Sequence, residues 1–242
     1  MIILSVGMPR AGSGWHYNLI HDLMRTTRCA EASEIRERFR LQAVLTEINC
    51  NIGVLSARRL AMVGIPAVLG NTFVIKAHSR PTAAFRMMSA FGLVRATYIY
   101  RDPRDAMLSA MDFGQRAAAK GRPNAFSHLT DFEKAVDFIS AYVRISEAWM
   151  LEAKVLTSRY ENLLQNYDAE AHRLAVYLGL DAADPAVSAV IDRNRPAQAE
   201  ARRGTHFFKG RIGRYREAFS AEQQRLLASR FGAYLQKMGY PI

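Results

Sequence analysis

The sequence predicts an α/β protein, a three-layer α/β/α domain around a mostly parallel central sheet with a P-loop-like anion-binding loop. Three observations predict it. Four short runs rich in β-branched and aromatic residues, 2–6, Phe73–Lys76, Thr97–Tyr100 and Val155–Ser158, have the length of buried strands. Longer segments with helical periodicity separate them, and strands alternating with helices specify parallel crossover units. The first run passes directly into a glycine-rich turn, Gly7-Met8-Pro9-Arg10-Ala11-Gly12-Ser13-Gly14-Trp15. With 242 residues, no internal repeat and no low-complexity stretch, the chain reads as a single domain over 1–242.

Each element has its own justification. After the glycine-rich turn, Leu19, Ile20, Leu23 and Met24 share one helical face. The segment from about 33 to 64 reads as one or two helices, charged at Glu34, Arg36, Glu37 and Arg38 and apolar later. Asp102 and Pro103 suit the cap and first turn of a helix after the third strand. Asp131 to Glu152 is amphipathic, with Phe132, Val136, Ile139, Val143 and Trp149 on its buried side. The stretch 195–216 carries eight basic side chains among three glycines and reads as a flexible basic loop. Ser220, with Glu222 and Gln223 behind it, starts a last capped helix.

Composition narrows the function classes. The formal net charge is +11, with 33 basic against 22 acidic residues, which favours anionic partners without choosing among them. Two cysteines, Cys29 and Cys50, provide neither a disulfide framework nor a metal-ligand set, so no metal is expected and a reduced, cytoplasmic setting is. The N-terminal apolar run breaks at Gly7 with no basic segment before it, unlike a signal peptide. No run of about 20 apolar residues exists to span a membrane.

The glycine-rich turn is the most informative stretch. In the spacing G-x-x-x-x-G-K-[ST], Gly7 and Gly12 take the glycine positions, but Ser13 stands at the lysine and Gly14 at the metal-binding hydroxyl. Backbone N–H groups opening the helix can still cradle a phosphate, with Arg10 as a charged fork. That argues against a nucleoside triphosphatase or a small-molecule kinase. In an open parallel sheet, ligands bind beyond the carboxyl ends of the strands. The residues there are Pro9–Trp15, Lys76-Ala77-His78, Arg101–Asp105 and Arg159-Tyr160-Glu161, nearly all of them cationic, titratable or aromatic. A glycine-rich turn, one histidine or one Arg–Asp pair is commonplace alone; their convergence at strand ends is not.

Taken together these segments resemble the cytosolic-type sulfotransferases, which use 3′-phosphoadenosine-5′-phosphosulfate (PAPS). The family's phosphosulfate loop P-K-x-G-T-[TS]-W resembles Pro9-Arg10-Ala11-Gly12-Ser13-Gly14-Trp15. Its 3′-phosphate signature Y-x-x-R-[DN]-P-[KR]-D-x-x-x-S matches Tyr98 through Ser109 in full. Its K-[TS]-H segment is resembled by Lys76-Ala77-His78, and Y-E-[DN]-L by Tyr160-Glu161-Asn162-Leu163. Its late loop R-K-G-x-x-G-[DE]-W-K-x-x-F is resembled by Phe208-Lys209-Gly210-Arg211-Ile212-Gly213-Arg214-Tyr215-Arg216-Glu217-Ala218-Phe219. The matches keep the family's order and cover residues 7 to 219. Departures are Arg10 for the loop lysine, Gly14 for a hydroxyl residue and Phe208 for an arginine.

The resemblance implies a sulfotransferase with His78 as general base and with Lys76 and Arg10 stabilising developing charge. It implies PAPS as donor and PAP as product. Arg10, Ala11, Gly12, Ser13 and Gly14 would hold the 5′ end, and Arg101, Ser109, Lys209 and Gly210 the 3′-phosphate, in two well-separated cationic pockets. Trp15 and Tyr160 would flank the adenine. The acceptor would be a small molecule or a glycan, met by residues from 31–70, 112–128 and 203–208. No nucleic acid is expected as a partner, and the oligomeric state stays open. A non-catalytic nucleotide- or polyanion-binding protein on the same fold is the alternative, as is an inactive sulfotransferase.

Overall fold

The structure, a computed structural model, describes residues 1–201 and 210–242. Its sheet has four strands, β1 (Ile2–Gly7), β2 (Phe73–Ala77), β3 (Val94–Tyr100) and β4 (Leu156–Arg159), in the order β2-β1-β3-β4. All three pairings are parallel, with Ser5 beside both Lys76 and Thr97. Parallel pairing brings Gly7, Ala77, Tyr100 and Arg159 to one rim. Three of the expected runs were right in place and one to three residues short, because Gly7, Ala77 and the polar Arg95 continue the ladders; the fourth, Val155–Ser158, is the right length but one residue early.

Helices cover both faces. They are α1 (Ser13–Met24), α2 (Ala32–Arg38), α3 (Ala57–Val68), α4 (Ala83–Ala90), α5 (Pro103–Ala119) and α6 (Phe132–Met150). Next come α7 (Tyr160–Gln165), α8 (Tyr167–Leu178), α9 (Pro185–Arg193), α10 (Pro196–Ala201), α11 (Tyr215–Ala218) and α12 (Ala221–Lys237). β1 shows how the layers divide. Ile2, Leu4 and Val6 join a core with Ile35, Leu60, Val63, Phe85 and Trp149, while Ile3 joins Leu19, Leu23, Leu174 and Ile191 on the opposite side. A third core links α5 and α6 to α12 through Met107, Ile139, Leu227 and Phe231. Caps fix the helix starts: Asp102, Asp131 and Thr82 each accept from a backbone N–H, and Ser220 with Gln223 closes a capping box.

Two expectations need correction. The segment 33–64, expected as one or two helices, holds most of α2 and the first turns of α3, but residues 39–56 between them are a turn-rich loop rather than helix, with Asn49 and Cys50 both left-handed at φ 57° and 42°. Leu41, Val44, Leu45, Ile52 and Leu55 are spaced as in a helix, but they are buried as loop plugs along the open edge of β2. There Ile52 donates to the Lys76 carbonyl at 2.9 Å, blunting that edge. The stretch 195–216 is likewise not one flexible loop, because α10 and the start of α11 fall inside it. Asp105 organises its end, accepting from the N–H groups of Gly213 and Tyr215 at 2.6 and 3.2 Å. Arg202, Arg203, His206, Phe208 and Lys209 lie outside the described residues.

His16, on α1, is fully enclosed, with Nδ1 3.3 Å from the Ser5 hydroxyl. Burial, reinforced by the charges of Lys76 and Arg173, lowers its pKa to about 3. Burial and Lys76 likewise lower His78 to about 4. Between pH 6.5 and 4 the unfolded chain therefore binds protons at these rings that the folded chain refuses. Stability is expected to be fully present above pH 6.5 and to fall as pH drops through this window. Denaturant midpoints measured across it check this, and His16→Asn should flatten the slope by about one proton.

Candidate active site

Beyond the strand rim lies a cavity of about 700 Å³. Of the residues expected from the sequence, Arg10, Gly12, Ser13, Gly14, Trp15, Lys76, His78, Arg101, Ser109 and Tyr160 line it. One pair of strand ends, β1 and β3, supplies the two main loops. This adjacency brings residues expected at different phosphates into contact. Arg10 Nε donates to Ser109 Oγ at 3.3 Å, and Arg101 donates to the Arg10 carbonyl at 3.3 Å.

The loop after β1 has little steric freedom. A Cβ on Gly12, at φ 76°, would meet the Tyr160 ring at 2.6 Å, so only glycine lets this aromatic ring lie against the turn. Arg10 is itself left-handed at φ 63°, a conformation disfavoured for a side chain of its size and held by the surrounding contacts. Its guanidinium sits 4.3 Å from the Phe113 ring centre. Gly12 caps α1 without a side-chain acceptor, and the first turn holds no acid. The helix dipole and N–H groups thus face the cavity without a neutralising carboxylate in that turn.

The cations crowd one another. Lys76 is 8% exposed, and its ammonium has no hydrogen bond or ion pair among the described residues. Burial and the charge of Arg10 lower its pKa to about 8. Burial, then Arg116 and Arg101, lowers Arg10. Arg101 is 6% exposed, 4.4 Å from the Tyr160 ring centre and 3.5 Å from Asp105. Its outer nitrogens donate to the Arg10 and Arg211 carbonyls, while its buried Nε has no partner among the described residues. A buried donor and a buried ammonium, both without partners among the described residues and both lining one cavity, have the chemistry to receive an anion.

His78 differs in kind. Nδ1 lies 2.7 Å from the Gly7 carbonyl, which can only accept, so Nδ1 carries the proton and Nε2 keeps its lone pair. The low pKa leaves that imidazole neutral at physiological pH. It is the arrangement of a positioned base.

Three expected residues behave otherwise. Ala11 is buried against the α5 core and its N–H donates to Met8 at 3.1 Å, so it offers the cavity nothing. Trp15 contributes to the wall but is 1% exposed, with Nε1 donating to the Asn194 carbonyl and its ring stacked on Tyr167. Tyr167 thus takes one face of the ring. Gly210 is described but does not line the cavity, and Lys209 lies outside the described residues.

The expected acceptor regions 112–128 and 31–70 supply Phe113, Phe126 and the rim at 46–51, whereas sequence reasoning missed Phe138 and Tyr142. Phe113, Phe126, Phe138 and Tyr142 form an aromatic wall, with neighbouring ring centres 4.9–5.7 Å apart. Gly114 makes this possible, since a Cβ there would meet the Phe126 carbonyl oxygen at 2.1 Å. Phe138 and Tyr142 are four apart on α6, beside rather than on its buried stripe, and that offset was the available signal. Facing them is the rim Thr46–Asn51, tied by Asn51 N–H to Thr46 Oγ1 at 3.0 Å. Among the described residues no group of three His, Cys, Asp or Glu side chains is placed to hold a metal ion.

The buried ammonium of Lys76 opposes folding at neutral pH. Lys76→Met, of similar length, should raise the melting temperature of the ligand-free protein by about 2–4 °C for each kcal/mol relieved. The same change should reduce the stabilisation given by added sulfate. Thermal melts with and without sulfate check both.

Comparison with known proteins agrees with this geometry. The sulfotransferase-domain family model matches residues 2–239. Mouse sulfotransferase SULT7A1 complexed with PAP is 14% identical, with a TM-score of 0.62 over 97% of this chain and 84% of that one. Retinol dehydratase in complex with retinol and PAP is 16% identical, with a TM-score of 0.60 over 97% and 81%. Sulfotransferase STF9 from Mycobacterium avium is 13% identical, with a TM-score of 0.53 over 100% and 77%. A search of curated proteins gave no match. The strand-end cations, the glycine turn and the family match over nearly the full length place this chain in the sulfotransferase domain family.

Proposed function

We propose that this sulfotransferase moves the sulfuryl group of PAPS to a hydroxyl of a small, largely apolar acceptor, with His78 as general base. The observation that carries the reading is one cavity holding both a cationic rim and a neutral imidazole with its Nε2 lone pair available. The residues fit a doubly phosphorylated adenosine. The α1 N-terminus with Arg10, Ser13 and Gly14 suits the 5′ end, and Arg101, with its orphan Nε, and Ser109 suit the 3′-phosphate. Lys209 and Gly210 stay assigned to the 3′-phosphate by motif alone. Tyr160 offers the aromatic surface beside an adenine. PAP is the molecule bound in two of the similar solved structures.

When bound, PAPS supplies the activated sulfuryl group. The chain's own residues do the rest. His78 Nε2 takes the proton of the acceptor hydroxyl, and the Gly7 carbonyl keeps the ring oriented while Nδ1–H donates to it. Lys76 and Arg10 face the charge that develops on the leaving oxygen, in a site where burial magnifies their effect. The aromatic wall gives the acceptor an apolar surface, which suits a flat hydroxylated molecule better than a polar glycan. Retinol and androsterone are the ligands in two retinol dehydratase complexes of similar fold.

His78→Ala should keep PAP affinity and lose about 10²–10⁴-fold in turnover. Arg101→Ala should instead weaken PAP binding, read by calorimetry. PAP, and not ATP with Mg²⁺, should raise the melting temperature of the wild-type protein. A chain that binds polyanions and leaves PAPS intact would fail all three tests.

The pH dependence follows from the same groups. In kcat/KM, the acid limb should fall near pH 4, where His78 protonates, and the alkaline limb near pH 8, where Lys76 loses its charge. A bound anion favours charged Lys76, so the alkaline limb of kcat should lie higher than that of kcat/KM. Initial rates from pH 4 to 10 check the order of the limbs.

A further inference from the structure

Helices α3 and α4 pack on each other over one face of the sheet. Their inward residues, Leu60, Val63, Ala67, Phe85 and Met88, are core. Their outward faces are apolar as well. Ile65, Val68, Leu69, Met87 and Phe91, on the last turns of the two helices and the residues just after them, are each 56–77% exposed. Between the helices runs an apolar groove of about 410 Å³ that ends at Leu93. A helix apolar on both sides calls for an apolar neighbour on each, and a contiguous exposed patch marks a contact surface.

Charge identifies the occupant. From Ile48 to Arg101 the sequence contains no Asp or Glu, although it contains seven Lys and Arg. Arg58 lies two turns before Ile65 on the same α3 face and has no ion-pair partner among the described residues. On α4 the exposed cation is Arg86, paired to Glu152 from beyond this stretch. The face is thus apolar with a basic margin and no carboxylate of its own. A second copy docked about a two-fold axis would bring Arg58 margins together without a compensating acid. A layer that is apolar within and negative at its surface complements it.

We propose that the α3–α4 face docks on an anionic lipid bilayer, with Val68, Leu69 and Phe91 entering the acyl boundary and Arg58 meeting headgroup phosphates. No helix among the described residues is long and apolar enough to cross a membrane, so the attachment is peripheral. Val68 and Phe91 precede the N-terminal ends of β2 and β3, whereas the cavity lies at the C-terminal rim. Docking therefore leaves the cavity mouth open.

Cosedimentation with vesicles tests this. Wild-type protein should pellet with phosphatidylcholine vesicles containing phosphatidylglycerol and not with phosphatidylcholine alone. The charge-neutral double variant Val68→Ser with Phe91→Ser should bind the anionic vesicles at least tenfold more weakly, from the apolar area withdrawn. Arg58→Glu should weaken binding several-fold at low salt. These side chains are exposed, so both variants should fold and turn over soluble acceptor at the wild-type rate, which separates this proposal from the sulfuryl-transfer reading. Three results would overturn it. One is wild-type protein that ignores anionic vesicles. Another is a double variant that binds them as wild type does, assigning attachment to the general positive charge. The third is a wild-type dimer in ultracentrifugation that the double variant abolishes, making the face an interface between copies.

Discussion

Glu161 joins the pieces of the rim that the cavity needs. Its carboxylate accepts from the Asp102 backbone N–H at 3.1 Å, the Tyr240 hydroxyl at 3.0 Å and Arg159 Nε at 3.3 Å. It therefore ties the end of β3, the end of β4 and the C-terminal segment at one buried point. Asp102 in turn holds Arg104, which reaches the Pro241 carbonyl at 2.6 Å, and Asp105 holds the 213–215 backbone. Removing one partner from a buried ionic cluster typically costs about 3–5 kcal/mol. Here the loss would fall on the backbone that carries Arg101 and Tyr160, residues adjacent in sequence to Asp102 and Glu161.

This frame is what lets like charges share a small volume. Arg10, Lys76 and Arg101 repel one another, and burial strips the water that would soften that repulsion. The carboxylates behind them fix the scaffold but, among the described residues, leave Lys76 unpaired and Arg101 Nε unsatisfied. The protein thus carries its electrostatic stress at the place where an anionic ligand relieves it. The same field acts on the imidazoles. Burial, with the charge of Lys76 added, lowers both His16 and His78, so the cation proposed to stabilise the transition state also helps keep the imidazole of His78 unprotonated.

The two apolar surfaces stand at different ends of the strands. The aromatic wall of α5, α6 and the loop between them encloses the cavity from one side, and the left-handed rim at Asn49 and Cys50 closes it from the other. The α3–α4 face lies towards the strand starts and is not part of that enclosure. The cavity and the α3–α4 face are therefore structurally independent. Substitutions in one need not disturb the other.

Much was legible in the sequence because it was local. A β-branched run specifies a strand, Asp102-Pro103 and Ser220 start helices through contacts within four residues, and parallel order alone sends strand-end loops to one rim. That logic singled out Arg10, Lys76, His78, Arg101 and Tyr160, all of which line the cavity. Tertiary structure decided what depended on distant partners. Apolar spacing between residues 41 and 55 could not separate a helix from a loop plugging the β2 edge, because both bury residues three and four apart. What Trp15 packs against could not be read until Tyr167 and Asn194, more than 150 positions away, took one face of its ring and its N–H. The neutral His78, the unpaired Lys76 and the orphan nitrogen of Arg101 are likewise products of burial and of the Gly7 carbonyl. Residue identity sets which chemistry is available, and only packing sets its protonation and its partners.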